Sequence, residues 1–310
     1  MDVFRDVLLW ASTNRTLADR LPRMPFVRAT VQRFMPGETP DDALEAAATL
    51  AERGVSAAFT HLGENVADER QATAVTEHYL GLLDRIAERR LDAEISVKLT
   101  HLGLDLAPSV ALGNVRRLAA GATDRRTRVW LDMEASGYVD ATLEAYRALV
   151  ADHPDSGICL QAYLHRTPQD VANLLPLHPS IRFVKGAYRE PAEVALQGKA
   201  RIAAAYHRLA LEVATRGDGA GRLVLGTHDV ELVRKVDAEL RQRGIGRDAF
   251  EIEMLFGIRT ADQVALAAEG FRVRSLIAYG PHWYPWFMRR LAERPANVLF
   301  ALRNLLARRA

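Results

Sequence analysis

The chain has 310 residues, 49% of them hydrophobic, which is enough for one large core or two small ones. Its 41 Lys and Arg against 39 Asp and Glu leave a formal net charge of +2, so composition gives no indication of binding to nucleic acid or another polyanion. A single cysteine, Cys159, excludes an internal disulfide and favours a reducing compartment such as the cytoplasm, and no segment reaches the roughly 18 uninterrupted apolar residues of a membrane span.

The first 54 residues predict a helical arm. Two amphipathic helices are expected within residues 1–36, separated by Pro22 and Pro25, and a third over residues 41–53. The third begins after Thr39 and ends at Gly54, which are typical start and stop residues of a helix.

From residue 55 onward, short apolar segments alternate with amphipathic ones. The predicted strands are 55–62, 93–99, 128–133, 157–164, 181–187, 222–226, 250–256 and 274–279. The predicted helices that follow them are 65–90, 109–120, 139–151, 168–175, 192–216, 230–243, 261–269 and 284–308.

The strands are apolar on both faces, as a fully covered parallel sheet requires. Eight strand–helix units are the number in a closed (β/α)8 barrel, and no GxGxxG follows the first strand, which argues against a Rossmann domain. We therefore predict an α/β protein with a helical arm over residues 1–54 and one barrel domain over residues 55–310.

Polar residues end nearly every strand, and the carboxyl ends of barrel strands are where barrel enzymes hold their catalytic groups. Cations stand out there: Lys98, Lys185 and Arg182, with Arg289 and Arg290 on the last helix. So many cations at one rim need counter-charges, and we expect a bound phosphate or carboxylate to supply them. The alternative is that each pairs with a local Asp or Glu, as Asp132 would with Lys98.

Two other strand ends carry side chains that suit a heteroaromatic ligand. Gln161 lies in an otherwise apolar strand, where its amide needs a partner such as a ring edge or neighbouring backbone. His228 follows Thr227 and has no second histidine at metal-ligand spacing, so we expect no metal site. We expect His101, His165 and His207 to be surface or core residues.

Several motifs together resemble the FAD-dependent proline dehydrogenase family, in particular its monofunctional bacterial branch. They are Arg182-x-Val184-Lys185-Gly186-Ala187-Tyr188, Thr227-His228-Asp229, Phe250-Glu251-x-x-x-Leu255-x-Gly257, and Trp283-Tyr284-Pro285 through Arg289-Arg290-Leu291-x-Glu293-Arg294-Pro295-x-Asn297. The resemblance covers nearly the whole chain and implies a distorted (β/α)8 barrel, with FAD over the strand ends and the last helix over the barrel mouth.

The resemblance also implies a role for each matching residue. Asp132 and Arg182 correspond to residues that the family treats as catalytic. The implied substrate-binding residues are Lys98, Arg289 and Arg290, which would hold the proline carboxylate, with Tyr188, Leu255 and Leu276 as pocket walls. The implied FAD contacts are Met133, Gln161, Lys185, Gly186, Ala187, Thr227 and His228.

Two positions depart from the family pattern. Leu276 stands where much of the family has a tyrosine against the substrate ring, and Trp286 replaces another tyrosine three residues before the first arginine. Both departures leave open hydroxyproline or another cyclic amino acid as the substrate. The match at Leu276 depends on the alignment, since a local shift would bring Tyr279 into that position.

The implied reaction is oxidation of L-proline to 1-pyrroline-5-carboxylate by hydride transfer to FAD. The family further implies a quinone acceptor, transient membrane contact and a separate pyrroline-carboxylate dehydrogenase as partner. Two other classes stay open: a Schiff-base or metal barrel enzyme that uses Lys98 or Lys185, and a flavin-binding barrel without catalysis.

Overall fold

The computed structural model describes residues 31, 33–216, 221–284 and 287–288. Eight parallel strands close into a barrel in sequence order, with β1 hydrogen-bonded to both β2 and β8. The predicted (β/α)8 architecture is therefore confirmed. The two predicted helices within the first 36 residues lie almost wholly outside the described range, as does the final helix beyond Met288.

The strands are β1 Ser56–His61, β2 Ala93–Val97, β3 Val129–Leu131, β4 Gly157–Gln161, β5 Ser180–Val184, β6 Leu223–Gly226, β7 Phe250–Leu255 and β8 Val273–Tyr279. The α-helices are α1 Pro40–Ala51, α2 Glu69–Glu88, α3 Pro108–Asp124, α4 Val139–Val150, α5 Thr167–Leu174, α6 Lys199–Arg216, α7 Val230–Gln242 and α8 Thr260–Ala268.

Helix α1 packs on the outer faces of β1 and β8. Thr39 caps it, since the Thr39 hydroxyl accepts a hydrogen bond from the Asp42 backbone N–H and the Asp42 carboxylate accepts one from the Thr39 N–H. Its apolar face, with Leu44 and Leu50, is buried in the same cluster as the barrel strands. The division between an arm and a barrel at residue 54 remains a proposal, because this part of the arm shares the core of the barrel.

Charged residues, not only apolar ones, fill the amino-terminal half of the barrel interior. Arg222, just before β6, contacts Glu94 on β2 and Glu251 on β7, and strands β2 and β6 are not neighbours, so the contact crosses the interior. Arg274 donates to Glu251 at 2.7 Å, and the Trp130 indole N–H donates to Glu94 at 2.7 Å. This layer forms the base on which the functional end of the barrel rests.

Two helices begin later than the sequence predicted. Asn65 has a left-handed φ of 54°, and Asp68 caps α2 by accepting a hydrogen bond from the Gln71 N–H. The predicted helix 192–216 begins only at Lys199. Residues 194–196 pair instead with the chain after β4, where the Leu196 N–H donates to the Tyr163 carbonyl at 2.8 Å. Tertiary pairing here overrides local helix propensity.

Gly257, after β7, lies against the segment that precedes α1. It has a φ of +71°, and a Cβ there would lie 1.6 Å from the Arg33 carbonyl oxygen. Gly244 has a similar φ of +76° but no atom within 4 Å of its Cβ position. Substitution of Gly244 therefore measures the cost of the left-handed backbone alone, and substitution of Gly257 adds the cost of a steric clash.

Gly244→Ala should lower the free energy of unfolding by about 1–2 kcal/mol, from the left-handed backbone alone. Gly257→Ala should lower it clearly further, because one of the two backbones must move. Urea denaturation of both variants measures the difference. Equal losses would show that the contact between Gly257 and Arg33 does not constrain the fold.

Candidate active site

The described residues form a cavity of about 660 Å³ at the carboxyl ends of the strands. This volume lies within the range of about 300–1,000 Å³ that small-molecule sites occupy. Among the residues chosen from the sequence, those that line it are Lys98, Asp132, Met133, Arg182, Lys185, Gly186, Ala187, Tyr188, Thr227, His228, Leu255 and Leu276.

Arg182 on β5 is the most constrained side chain of the cavity, with 2% of its surface exposed. It donates to Glu253 Oε1 on β7 at 2.8 Å, to the Ser96 hydroxyl on β2 at 2.7 Å, and to Asp132 Oδ1 after β3. Ser96 in turn donates to Asp132 Oδ1 at 2.7 Å. We call these four residues the Arg182 network.

Electrostatics stabilise the charge of Arg182. Burial alone would lower the pKa of its guanidinium, but the adjacent carboxylate of Asp132 and the hydrogen bonds to Glu253 and Ser96 keep it charged. Burial raises the pKa of Glu253, and Arg182 and Arg274 offset only part of that rise. The guanidinium carbon also lies 5.2 Å from the centroid of the Trp130 ring. Trp130 therefore lies between the Arg182 network and the layer of charged residues around Arg222.

Lys98 lies at the edge of the Arg182 network. Its Nζ is 4.0 Å from Asp132 Oδ2, whereas Asp132 Oδ1 directly accepts hydrogen bonds from Arg182 and Ser96. Asp132 is therefore oriented mainly by Arg182 and Ser96. Lys98 keeps a looser contact, which suits a cation that also faces a ligand.

The turn after β5 is held from three sides. Lys185 donates to Asp229 at 2.7 Å, and the Tyr163 N–H donates to the Lys185 carbonyl at 3.1 Å. Gly186 has a φ of +126°, and a Cβ there would lie about 2.4 Å from the Tyr163 ring, so only glycine fits. Glu190 accepts hydrogen bonds from the Ser136 N–H and hydroxyl, both at 2.7 Å, and so ties this turn to the one after β3.

The loops after β6 and β7 are joined through His228. The Leu255 N–H donates to His228 Nε2 at 3.0 Å, so this nitrogen carries no proton in that arrangement. Arg259 donates to the His228 carbonyl at 2.8 Å, and Asp229 accepts a hydrogen bond from the Leu232 N–H at the start of α7. His228 is thus fixed in ring orientation beside the cavity.

Gln161 is not among the residues that line the cavity. Its side-chain nitrogen donates to the Glu134 carbonyl at 2.7 Å. Its Oε1 is buried and has no hydrogen-bond partner among the described residues, so the amide oxygen still needs a hydrogen-bond donor.

Leu276 lines the cavity wall, whereas Tyr279 does not. The Tyr279 hydroxyl lies 2.7 Å from His78 Nε2, and its ring packs against His61 at a centroid distance of 5.3 Å. The position of Tyr279 in the strand therefore excludes it from the cavity. His101 is likewise buried next to His61, while His165 is exposed and His207 lies 3.3 Å from Glu239.

Arg289, Arg290 and Trp286 lie outside the described residues, so their predicted contacts stay predictions. The alternative that each cation pairs with a local Asp or Glu holds for the three described cations. Lys98 contacts Asp132, Lys185 pairs with Asp229, and Arg182 has two carboxylate partners.

The sequence predicted no role for several residues of the site. They include Ser96 and Glu253, which complete the Arg182 network, and Cys159, Asp229 and Arg259, which line the cavity. Ser96, Cys159 and Glu253 face inward from strands, and only strand alternation counted back from Lys98, Gln161 and Leu255 could have indicated them.

In the described part of the chain, no group of three or more His, Cys, Asp or Glu side chains is arranged to hold a metal ion. None of the helices in these residues is long and apolar enough to cross a membrane.

Known proteins resemble this chain over almost its whole length. The sequence family described as "Proline dehydrogenase" matches residues 43–303. Proline dehydrogenase 1 of Bacillus subtilis (strain 168) is 34% identical over 98% of this chain and 99% of that protein. The proline dehydrogenase of Deinococcus radiodurans is 37% identical over 89% of each chain.

Solved structures agree on the fold. Proline utilization A from Bdellovibrio bacteriovorus superimposes with a TM-score of 0.80 and 22% identity over 93% of this chain. The present chain spans 36% of the length of that protein. Proline utilization A from Corynebacterium freiburgense gives a TM-score of 0.74 at 19% identity over 99% of this chain and 35% of its own length.

The histidines behind β1 predict an acid-sensitive stability. Burial, with smaller contributions from neighbouring histidines, lowers the pKa of His61 to about 4 and that of His101 to about 3, from an ordinary value of 6.5. In the unfolded chain these two histidines therefore bind protons near pH 6.5, whereas in the folded protein they bind them only at about pH 3–4. The free energy of unfolding should fall as the pH drops through that window.

His61→Gln should make this fall shallower, because one of the two groups no longer titrates. His165→Gln, at an exposed histidine, is the control and should leave the slope as in the parent. Urea denaturation at a series of pH values measures both. A parent whose stability does not change between pH 6.5 and pH 4 would contradict the account.

Proposed function

Since the chain belongs to the proline dehydrogenase family, we propose that it oxidises L-proline to 1-pyrroline-5-carboxylate with a bound FAD. The observation that carries the proposal is the cavity at the strand ends, which combines cations with an apolar wall. Curated relatives of equal length bear the name proline dehydrogenase, which supports the same reaction here.

The residues around the cavity fit a flavin. A flavin ring needs hydrogen-bond donors at its polar edge and close approach of backbone, and the Lys185–Ala187 turn supplies both. Gln161 does not line the cavity, but its buried oxygen has no hydrogen-bond partner among the described residues and suits the ring N–H of a flavin. The proposed FAD contacts are Met133, Gln161, Lys185, Gly186, Ala187, Thr227 and His228. When bound, FAD supplies the hydride-accepting chemistry, and the protein supplies placement and charge.

The substrate carboxylate is proposed to bind Lys98 together with Arg289 and Arg290. Charge-assisted hydrogen bonds to a carboxylate are roughly twice as strong as neutral ones, and arginine binds it in fork geometry. Tyr188, Leu255 and Leu276 would then enclose the apolar ring carbons. Holding the ring in one orientation is the main contribution of these residues to the reaction.

Asp132 and Arg182 are proposed as the catalytic pair. Arg182 is fixed by hydrogen bonds from three strands, so its charge needs no rearrangement when the ligand's charge changes. Asp132 keeps Lys98 within 4.0 Å and is the described carboxylate nearest to that predicted carboxylate anchor.

A Schiff-base mechanism is less well supported by the geometry. It would need an uncharged lysine amine as nucleophile. Lys185 donates to Asp229 at 2.7 Å and Lys98 lies 4.0 Å from Asp132, so each amine already contacts a carboxylate.

Further parts of the proposal concern the surroundings of the enzyme. We include a quinone as electron acceptor, a cytoplasmic location with transient membrane contact, and a separate pyrroline-carboxylate dehydrogenase that takes the product. One structural neighbour is described as a bifunctional proline utilization A, and the present chain spans 30% of its length.

The visible spectrum of the purified protein tests the proposal. The parent should show flavin absorbance that anaerobic proline bleaches, and denaturation should release a compound that mass spectrometry identifies as FAD. FMN in place of FAD, or no flavin after reconstitution, would contradict the cofactor assignment. A colourless protein with a lysine trapped by borohydride would favour the Schiff-base class, and a yellow protein that no cyclic amino acid bleaches would favour binding without catalysis.

A broader substrate range is a second candidate, favoured by Leu276 in the cavity wall. Leucine is smaller than tyrosine and has no hydroxyl, so it leaves room for a ring substituent. We expect proline to be oxidised, with less discrimination against trans-4-hydroxyproline than a tyrosine would give. Apolar shape differences of this kind change discrimination by about 1–3 kcal/mol.

Leu276→Tyr should raise the ratio of kcat/KM for proline to that for trans-4-hydroxyproline and leave the flavin spectrum unchanged. Tyr279→Phe, three residues along the same strand and outside the cavity, is the matched control and should leave the ratio at the parent value. An unchanged ratio in Leu276→Tyr would show that Leu276 does not contact the substrate.

A further inference from the structure

Only one of the two carboxyl oxygens of Glu253 has a hydrogen-bond partner among the described residues. Its Oε1 accepts a hydrogen bond from Arg182 at 2.8 Å, but its Oε2 is buried and has no hydrogen-bond partner among the described residues. The residue is 5% exposed and lines the cavity. A buried ionised oxygen without a partner is costly, and protonation of the carboxyl removes that charge.

The positive charges around Glu253 already have other partners. Arg182 is shared with Asp132, and Arg274 donates to Glu251 at 2.7 Å and lies 3.5 Å from Glu94. The other titratable groups that surround Glu253 are negative or neutral: Asp132, Glu94, Glu251, Cys159 and Tyr206. No described cation is therefore reserved for Glu253.

The charge of the cavity depends on the proton of Glu253. With Glu253 ionised, the Arg182 network has a charge of −1, because one arginine faces two carboxylates. Lys98 then brings the sum over these five residues to zero. With Glu253 protonated, the network is neutral and the same sum is +1.

We propose that Glu253 is held as an un-ionised carboxylic acid, so that the Arg182 network is neutral and the charge of Lys98 is left for a carboxylate ligand. Arg182 still donates to the Glu253 carbonyl oxygen, so the hydrogen bond is kept while the extra negative charge is removed. Glu253 is then a positioning residue that sets the charge of the site. This deepens the proposed function and rests on it for the identity of the ligand as a cyclic amino acid.

The pKa direction supports the geometry. Burial raises the pKa of Glu253 above its ordinary value of 4.5, with Glu251 and Glu94 adding to the rise and the two arginines opposing it. Above pH 4.5 the unfolded chain releases this proton while the folded protein keeps it. The parent should therefore lose stability relative to a variant without the titrating group as the pH rises.

Glu253→Gln tests this directly, because glutamine keeps the shape and the acceptor oxygen but cannot ionise. Across about pH 5–8, the free energy of unfolding of the full-length parent should fall relative to that of Glu253→Gln. Glu251→Gln is the matched control, two residues earlier on the same strand. Glu251 accepts from both Arg222 and Arg274, so this variant should be less stable than the parent at every pH.

A second measurement connects the proton to the site. Tetrahydrofuran-2-carboxylate has the proline ring with oxygen in place of nitrogen, so it binds as a carboxylate without an amine to oxidise. Calorimetric titration into the FAD-loaded protein should show its affinity weaken several-fold as the pH rises and Glu253 ionises. In Glu253→Gln this pH dependence should be lost.

The outcomes separate the two proposals. If Glu253→Gln is less stable than the parent at neutral pH and the difference does not decline with pH, Glu253 is an ionised partner of Arg182 and the inference is overturned. If the stability series holds but neither FAD nor the carboxylate binds, the proposed function fails and the protonation of Glu253 stands. If the carboxylate binds with the same pH dependence in both proteins, Glu253 does not set the charge of the site.

Discussion

A fully buried guanidinium at the centre of a barrel is unstable unless carboxylates and hydroxyls surround it. Arg182 on β5 meets this requirement with groups on β2, just after β3 and on β7, and none of these strands is a neighbour of β5. Because removing a partner leaves a buried polar group without its hydrogen bond, these strands must keep their relative register. The same constraint that stabilises the barrel therefore fixes the geometry of the cavity.

Below this network, a second set of ion pairs fills the barrel, and Trp130 lies between the two. Its ring centroid is 5.2 Å from the Arg182 guanidinium carbon and 5.7 Å from that of Arg222. The interior of this barrel thus contains charged side chains on both sides of an aromatic ring, whereas many barrels have layers of branched aliphatic side chains. Buried ion pairs contribute little net stability, so we interpret this arrangement as one that serves specificity and the electrostatics of the site.

The sequence predicted the barrel because strand and helix periodicities alternate eight times. It predicted Lys98 and Lys185 because they end strands, and Arg182 because its motif resembles that of the family. It did not predict Ser96 or Glu253, which meet Arg182 from positions 86 and 71 residues away. Which inward positions face each other depends on register and barrel closure, and local pattern carries no information about either. Residues 192–198 were wrongly predicted as helix for the same reason. Residues 194–196 pair with the chain after β4, and this pairing is a tertiary contact.

The dependence of the site on Arg182 is tested most directly by a double-mutant cycle on the free energy of unfolding, with Arg182→Met, Asp132→Asn and the double variant. Arg182→Met alone should be strongly destabilising, because it leaves Asp132 without its closest cation. The double variant should recover part of that loss, giving a coupling energy on the order of 0.5–3 kcal/mol. Additive losses, with no coupling between the two positions, would contradict the account.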